Sequence, residues 1–125
     1  FTTEDALVEA IGELADRGAQ ALVISTSPGS ARLLDVTART ARAHELPSIA
    51  NTGAAEFALV SLAPDTAELG RQLGRQAARL LAGASPSTVP VEDPRRYLLT
   101  VNEQVALDLG LDLPPDLLRE ADEVR

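Results

Sequence analysis

Short apolar runs alternate along this chain with amphipathic helical stretches, and that order limits the fold more than any single motif does. Ala21-Leu22-Val23-Ile24, Leu46 to Ala50 and Phe57 to Leu62 read as strands. The first shows no polar alternation, the pattern of a strand covered on both faces. Thr2 and Asp5 offer a capping-box start to a helix with Leu7, Ile11 and Leu14 on one face, and Gly18 offers its stop. Ser30 is placed to cap a second helix carrying Leu33, Leu34, Ala38 and Ala41, which should end before Pro47. Asp65 with Glu68 opens a third helix, to about Ala82, stopped at Gly83. A strand from Tyr97 to Val101, a helix capped by Asn102 and a helix entered through Pro115 complete the order. Strand–helix–strand succession implies a parallel sheet with right-handed crossovers, so the class is α/β.

Composition removes several kinds of function. The 11 basic residues, all Arg, face 19 acids, for a net charge of −8. An acidic chain without a basic stripe is a poor nucleic-acid binder. Its aromatics are Phe1, Phe57 and Tyr97, too few for a base-stacking platform. The absence of cysteine excludes a thiol nucleophile, a thiolate metal site and disulfides. His44 is the single histidine, which excludes an imidazole metal cluster. A Ser-His-Asp triad would have to use it, yet it stands beside Glu45 at the far end of a helix and reads as a solvated C-terminal helix residue favoured by the dipole. No stretch approaches the roughly 20 apolar residues of a membrane span, and no secretion signal is visible in these residues. Gly70 and Gly74 fall on a helix and read as a site of close helix packing rather than a nucleotide loop. Glu120, Asp122 and Glu123 read as a solvated tail.

In an open α/β sheet, ligands bind outside the carboxyl ends of the strands. Three segments qualify: Ser25-Thr26-Ser27-Pro28-Gly29-Ser30, Asn51-Thr52-Gly53-Ala54-Ala55-Glu56, and Leu62-Ala63-Pro64-Asp65. The candidate ligand-binding residues are therefore Ser25, Thr26, Ser27, Asn51, Thr52, Glu56 and Asp65. Ser27, Asn51, Thr52 and Asp65 are expected to face one groove. Hydroxyls and free backbone N–H groups at a helix start suit a carboxylate or phosphate. A capped turn, a solvated loop and a helix cap account for the same three segments without any ligand. No residue set points to catalysis or to a metal, and no cofactor is implied.

The segment from Pro90 to Arg125 carries a set of fixed offsets. They are Pro90-Val91-Glu92-Asp93-Pro94, a strand ending Val101-Asn102, then Leu109-Gly110, Leu113-Pro114-Pro115 and Ala121-Asp122-Glu123-Val124. This ending resembles that of a family of ABC-transporter solute-binding proteins which includes tryptophan- and other amino-acid-binding members. From about Ala19, the run ALVISTSPGSARLLDVTARTARAHELPSIA and the later LAPDTAELGRQLGRQAARLLAG are similar to the same family in register.

The resemblance implies the C-terminal portion of a type I periplasmic-binding-protein fold: a parallel-sheet, three-layer lobe, incomplete in this chain. Residues 1–62 would lie in the C-terminal lobe and 63–89 would form the hinge crossings with a helix packing on the other lobe. Residues 90–125 would return to the C-terminal lobe. The implied protein is not an enzyme. It would bind a small polar solute, an amino acid among the options, in an interlobe cleft and deliver it to the membrane permease of an ABC transporter. Its implied location is extracytoplasmic, either periplasmic or lipid-anchored at the outer face of the membrane. Ser27 stands where relatives often carry Asp, and Leu62-Ala63 where they often carry Tyr-Gly, so an amino-acid ligand does not follow from the resemblance. Leu69, Leu73, Ala77, Leu80 and Leu81 form an apolar stripe that is expected to self-associate with a second copy through its Leu69/Leu73/Leu80 face. Two other readings remain. One is a phosphosugar-binding module of the sugar-isomerase type, whose phosphate loop the hydroxyl-rich turn approximates, although Pro28 removes an N–H from it. The other is the same fold used as a ligand-sensing domain of a signalling protein.

Overall fold

Helix ends account for much of the local architecture in the computed structural model, which describes residues 3–25, 33–51 and 57–125. Helix α1 (Glu4–Asp16) is capped by Thr3, whose hydroxyl accepts from the Ala6 N–H at 3.4 Å. The cap is thus Thr3 rather than Thr2, which lies outside the described residues. With Thr3 in that place, Ala6 takes the position where a capping box needs an acid or amide, so no reciprocal bond forms. The helix closes through Gly18 at φ 85°, with Gly18 N–H to Ala15 O at 2.9 Å and Ala19 N–H to Leu14 O at 3.0 Å. This is the Schellman pairing, which satisfies the last carbonyls.

Helix α2 (Leu34–Ala43) ends in the same pair of bonds without a glycine. Glu45 takes the left-handed conformation at φ 55°, and Leu46 N–H reaches Ala41 O at 2.8 Å. A side chain there costs about 1–2 kcal/mol, and burial of Leu46 beside Ala41 offsets it. Ser30 lies outside the described residues; among those described, Leu33 precedes α2 and makes no side-chain cap.

The strands are β1 (Leu22–Ile24), β2 (Ser48–Ala50), β3 (Val60–Pro64), β4 (Tyr97–Val101) and β5 (Glu123–Val124), in the sheet order β1-β2-β3-β4-β5. β1, β2 and β3 are mutually parallel, as are β4 and β5. The bonds Asn102 N–H to Leu59 O and Asp65 N–H to Arg96 O set β4 antiparallel to β3. The chain leaves β3, makes an excursion and comes back beside the end it left, so this one connection is not a crossover. β3 also starts three residues later and ends two later than the Phe57–Leu62 expected, since an unbroken apolar run carries no mark of its own boundaries.

Two compact units result: residues up to Ala63 together with Leu99–Arg125, and Pro64–Leu98. In the first, Leu7, Ile11, Val36, Ala41 and Leu46 join α1 to α2. Ala38 on α2 meets Ile24, Ala50 and Ala58, and the three small alanines let the helix lie close on the sheet. Leu59, Val105 and Ala106 hold helix α4 (Glu103–Asp108), and Arg42 of α2 pairs with Asp108 at 2.8 Å. On the other face of the strands, several apolar side chains lie open among the described residues. Val23 is 72% exposed, its register partner Ile49 45%, and Leu62 48%. The cover expected on both faces of β1 is therefore absent among the described residues; an apolar run fixes what a strand can bury, not what is present to bury it.

The second unit contains helix α3 (Thr66–Leu81), a 3₁₀ turn at Pro86–Thr88 and the return to β4. Among the described residues, nothing lies within 4 Å of where a Cβ would stand at Gly70 or Gly74, and none of them supplies the close packing expected there. Four-residue spacing permits close approach without requiring it. Helix α5 (Pro115–Glu120), in the first unit, starts on Pro115, whose missing N–H costs nothing at that position.

Candidate functional site

Ser25 and Asn51 directly follow β1 and β2, whose register pairs Ile24 with Ala50. The two side chains therefore emerge side by side at the carboxyl edge of the parallel strands. Asn51 Nδ2 lies 3.4 Å from Ser25 Oγ, and Asn51 N–H donates to Ile24 O at 3.3 Å. Both residues are exposed. A hydroxyl and a primary amide together offer donors and acceptors of either sense. Neither is a base, so the pair is suited to holding a polar group and not to activating a nucleophile. His44 offers Ser25 no help, because it ends α2 just before β2 begins and packs over Gly12. Among the described residues, no group of His, Cys, Asp or Glu is arranged to hold a metal ion.

Asp65 belongs to the second unit. Its Oδ1 caps α3, accepting from the Ala67 and Glu68 N–H groups at 3.0 and 3.1 Å, while Oδ2 lies 3.7 Å from Arg96 Nε. The box anticipated with Glu68 is only half made. Glu68 turns to Arg71 and Arg75, whose hydrogen bonds hold its carboxyl below the usual range, and the Asp65 N–H goes to Arg96 O instead. Arg96 was not singled out in the sequence; the adjacent pair Arg95-Arg96 before a strand was the available signal. Thr26, Ser27, Thr52 and Glu56 lie outside the described residues. Ser25 and Asn51 are thus brought together, and Asp65 is tied to Arg96 within its own unit.

Residues 10–125 match the family model described as ABC transporter substrate binding protein. No protein of curated function matches the sequence. Among solved structures, a conserved domain protein from Vibrio cholerae O1 biovar El Tor shares 20% identity and a TM-score of 0.85, over 98% of this chain and 42% of that one. The ligand-free, open structure of CD0873, a substrate binding protein with adhesive properties from Clostridium difficile, is 25% identical with a TM-score of 0.73, over 100% of this chain and 42% of that one. An ABC domain in complex with L-Trp from Streptococcus pneumoniae is 21% identical with a TM-score of 0.82, over 98% of this chain and 43% of that one. The chain spans about two-fifths of the length of these structures. With the family model matched over nearly all of its residues, the chain belongs to the ABC transporter substrate-binding proteins.

Proposed function

We propose that this chain contributes one lobe to a solute-binding component that takes up a small polar solute between two lobes and delivers it to a membrane permease. The observation that carries the reading is the family match over residues 10–125, with a polar pair at the strand ends where a ligand of this fold would sit. Ser25, Thr26, Ser27, Asn51, Thr52, Glu56 and Asp65 are the residues assigned to the ligand, and residues 63–89 to the hinge crossings and the helix between lobes. An amino acid is one candidate solute, the class suggested by the L-Trp complex of the pneumococcal structure. The role is binding without turnover, at the extracytoplasmic face of a membrane. No described helix is long and apolar enough to cross that membrane itself.

Mass spectrometry of small molecules released on denaturing the complete protein tests this directly. A stoichiometric polar solute is expected, bound about two- to tenfold more weakly after Asn51→Ala, the loss of one hydrogen bond. Saturable hydrolysis or isomerisation abolished by substituting Asp65 would replace this reading with an enzymatic one.

The same proposal extends to assembly. Leu73 and Leu80 on α3 are exposed and Leu69 is half-buried, and a second copy is the occupant assigned to that Leu69/Leu73/Leu80 face. Leu73→Glu should then convert a dimer of the 125-residue chain to monomer in sedimentation. A folded monomer indifferent to the substitution excludes the contact.

A further inference from the structure

The Pro64–Leu98 unit holds itself together by polar contacts. The buried residue of α3 is a glutamine, Gln72, only 2% exposed. Its Nε2 donates to Asp93 O at 2.9 Å and to Glu92 Oε2 at 3.2 Å. One turn on, Gln76 Nε2 donates to Pro90 O at 3.2 Å. The orientation of the Gln72 amide is fixed by chemistry, because the flipped form would set its oxygen against a carboxylate and a carbonyl. In the orientation observed, Oε1 is buried without a partner among the described residues. Burial pushes the Glu92 carboxyl up, and the Arg95 charge with hydrogen bonds from Arg95, Gln76 and Gln72 outweighs it, leaving the group ionised below the usual range. At the far end of the segment, Asp65 N–H donates to Arg96 O at 3.0 Å. Apolar contact adds little, since Val91 is fully exposed and Leu81 90% exposed.

We propose that residues 90–96 form a strap that opens and closes on α3 as a local unit, latched by Gln72. Segments with few buried apolar contacts and many polar ones open at lower free energy than the core, and here the attachment is a pair of glutamine side chains. Opening also carries Arg96 away from Asp65, so the strap governs whether the second oxygen of that carboxylate is paired. This consequence rests on Asp65 as a ligand residue; the strap itself does not.

Trypsin reads the opening, since Arg95 and Arg96 lie within the strap and are exposed. Gln72→Leu keeps the volume and removes the amide. It should raise cleavage after Arg95 and Arg96 by about tenfold, with cleavage after Arg39 and Arg42 in α2 unchanged. Gln76→Ala, at a less buried position, should raise cleavage at the same two sites by a smaller factor, and it carries the test should the Leu variant fail to fold. Unchanged cleavage after Arg95 and Arg96 would overturn the proposal, and so would a rise of equal size in α2, which reports global loosening. Slower cleavage in Gln72→Leu would show that the side chain works by packing, and would overturn it equally.

Discussion

Ile11→Ala should destabilise the chain by about 2–5 kcal/mol, a large part of the roughly 5–15 kcal/mol that holds a domain of this size folded. Ile11 is 2% exposed and sits among Leu7, Val36, Ala41 and Leu46, the residues through which α1 and α2 meet. Two neighbours limit any collapse into the cavity. Ala41 has only a methyl group and no rotamer with which to follow a retreating surface. Leu46 is held by the left-handed turn at Glu45, which fixes where its backbone lies. Urea unfolding should show a lower midpoint with an unchanged slope, the mark of lost native contacts without a change of compactness. Leu81→Ala provides the contrast, since that side chain is 90% exposed, and it should stay within about 0.5 kcal/mol of the parent. A shift below about 1 kcal/mol for Ile11→Ala would mean that the first cluster is not the core it looks like.

What the sequence made legible was mostly local chemistry. Gly18, Gly83 and Gly110 all stand at left-handed helix stops, and Asp65 and Asn102 cap the helices assigned to them. Each is a residue type whose side chain, or lack of one, answers a backbone need within four positions. Glu45 fills the same role as those glycines and carries no such mark; only the burial of Leu46 explains it. The choice between Thr2 and Thr3 was hidden for the opposite reason, because two adjacent hydroxyls signal the same cap. Properties that depend on distant parts of the chain were out of reach. Nothing in Ala21–Ile24 says that Val23 faces solvent, and nothing in the Gly70–Gly74 spacing says that no atom of the described residues comes within 4 Å of it. At the candidate site, strand order alone put Ser25 beside Asn51, whereas the bond between Asp65 and the return segment depends on a long excursion that no spacing rule encodes.

Asn102→Ala should cost about 1–3 kcal/mol, more than the loss of any exposed cap in the chain. Helix α4 has six residues, too few to stand without tertiary support. Asn102 supplies that support twice over. Its Oδ1 accepts from the Val105 N–H at 3.0 Å, and its own N–H donates to Leu59 O at 2.9 Å. The first bond places Val105 and Ala106 against Leu59 in the cluster that fixes α4 to the sheet. Alanine leaves the backbone bond intact and deletes the cap, so the Val105 N–H is stranded beside a buried side chain where water cannot replace the lost acceptor. Serine restores an acceptor at that position and should recover part of the loss. Thr3→Ala is the matching change at an exposed cap, whose Ala6 N–H can turn to solvent, and it should cost about 0.5–1 kcal/mol. Thermal unfolding of the three variants ranks them, and equal losses for Asn102→Ala and Thr3→Ala would show that burial adds nothing to the value of the cap.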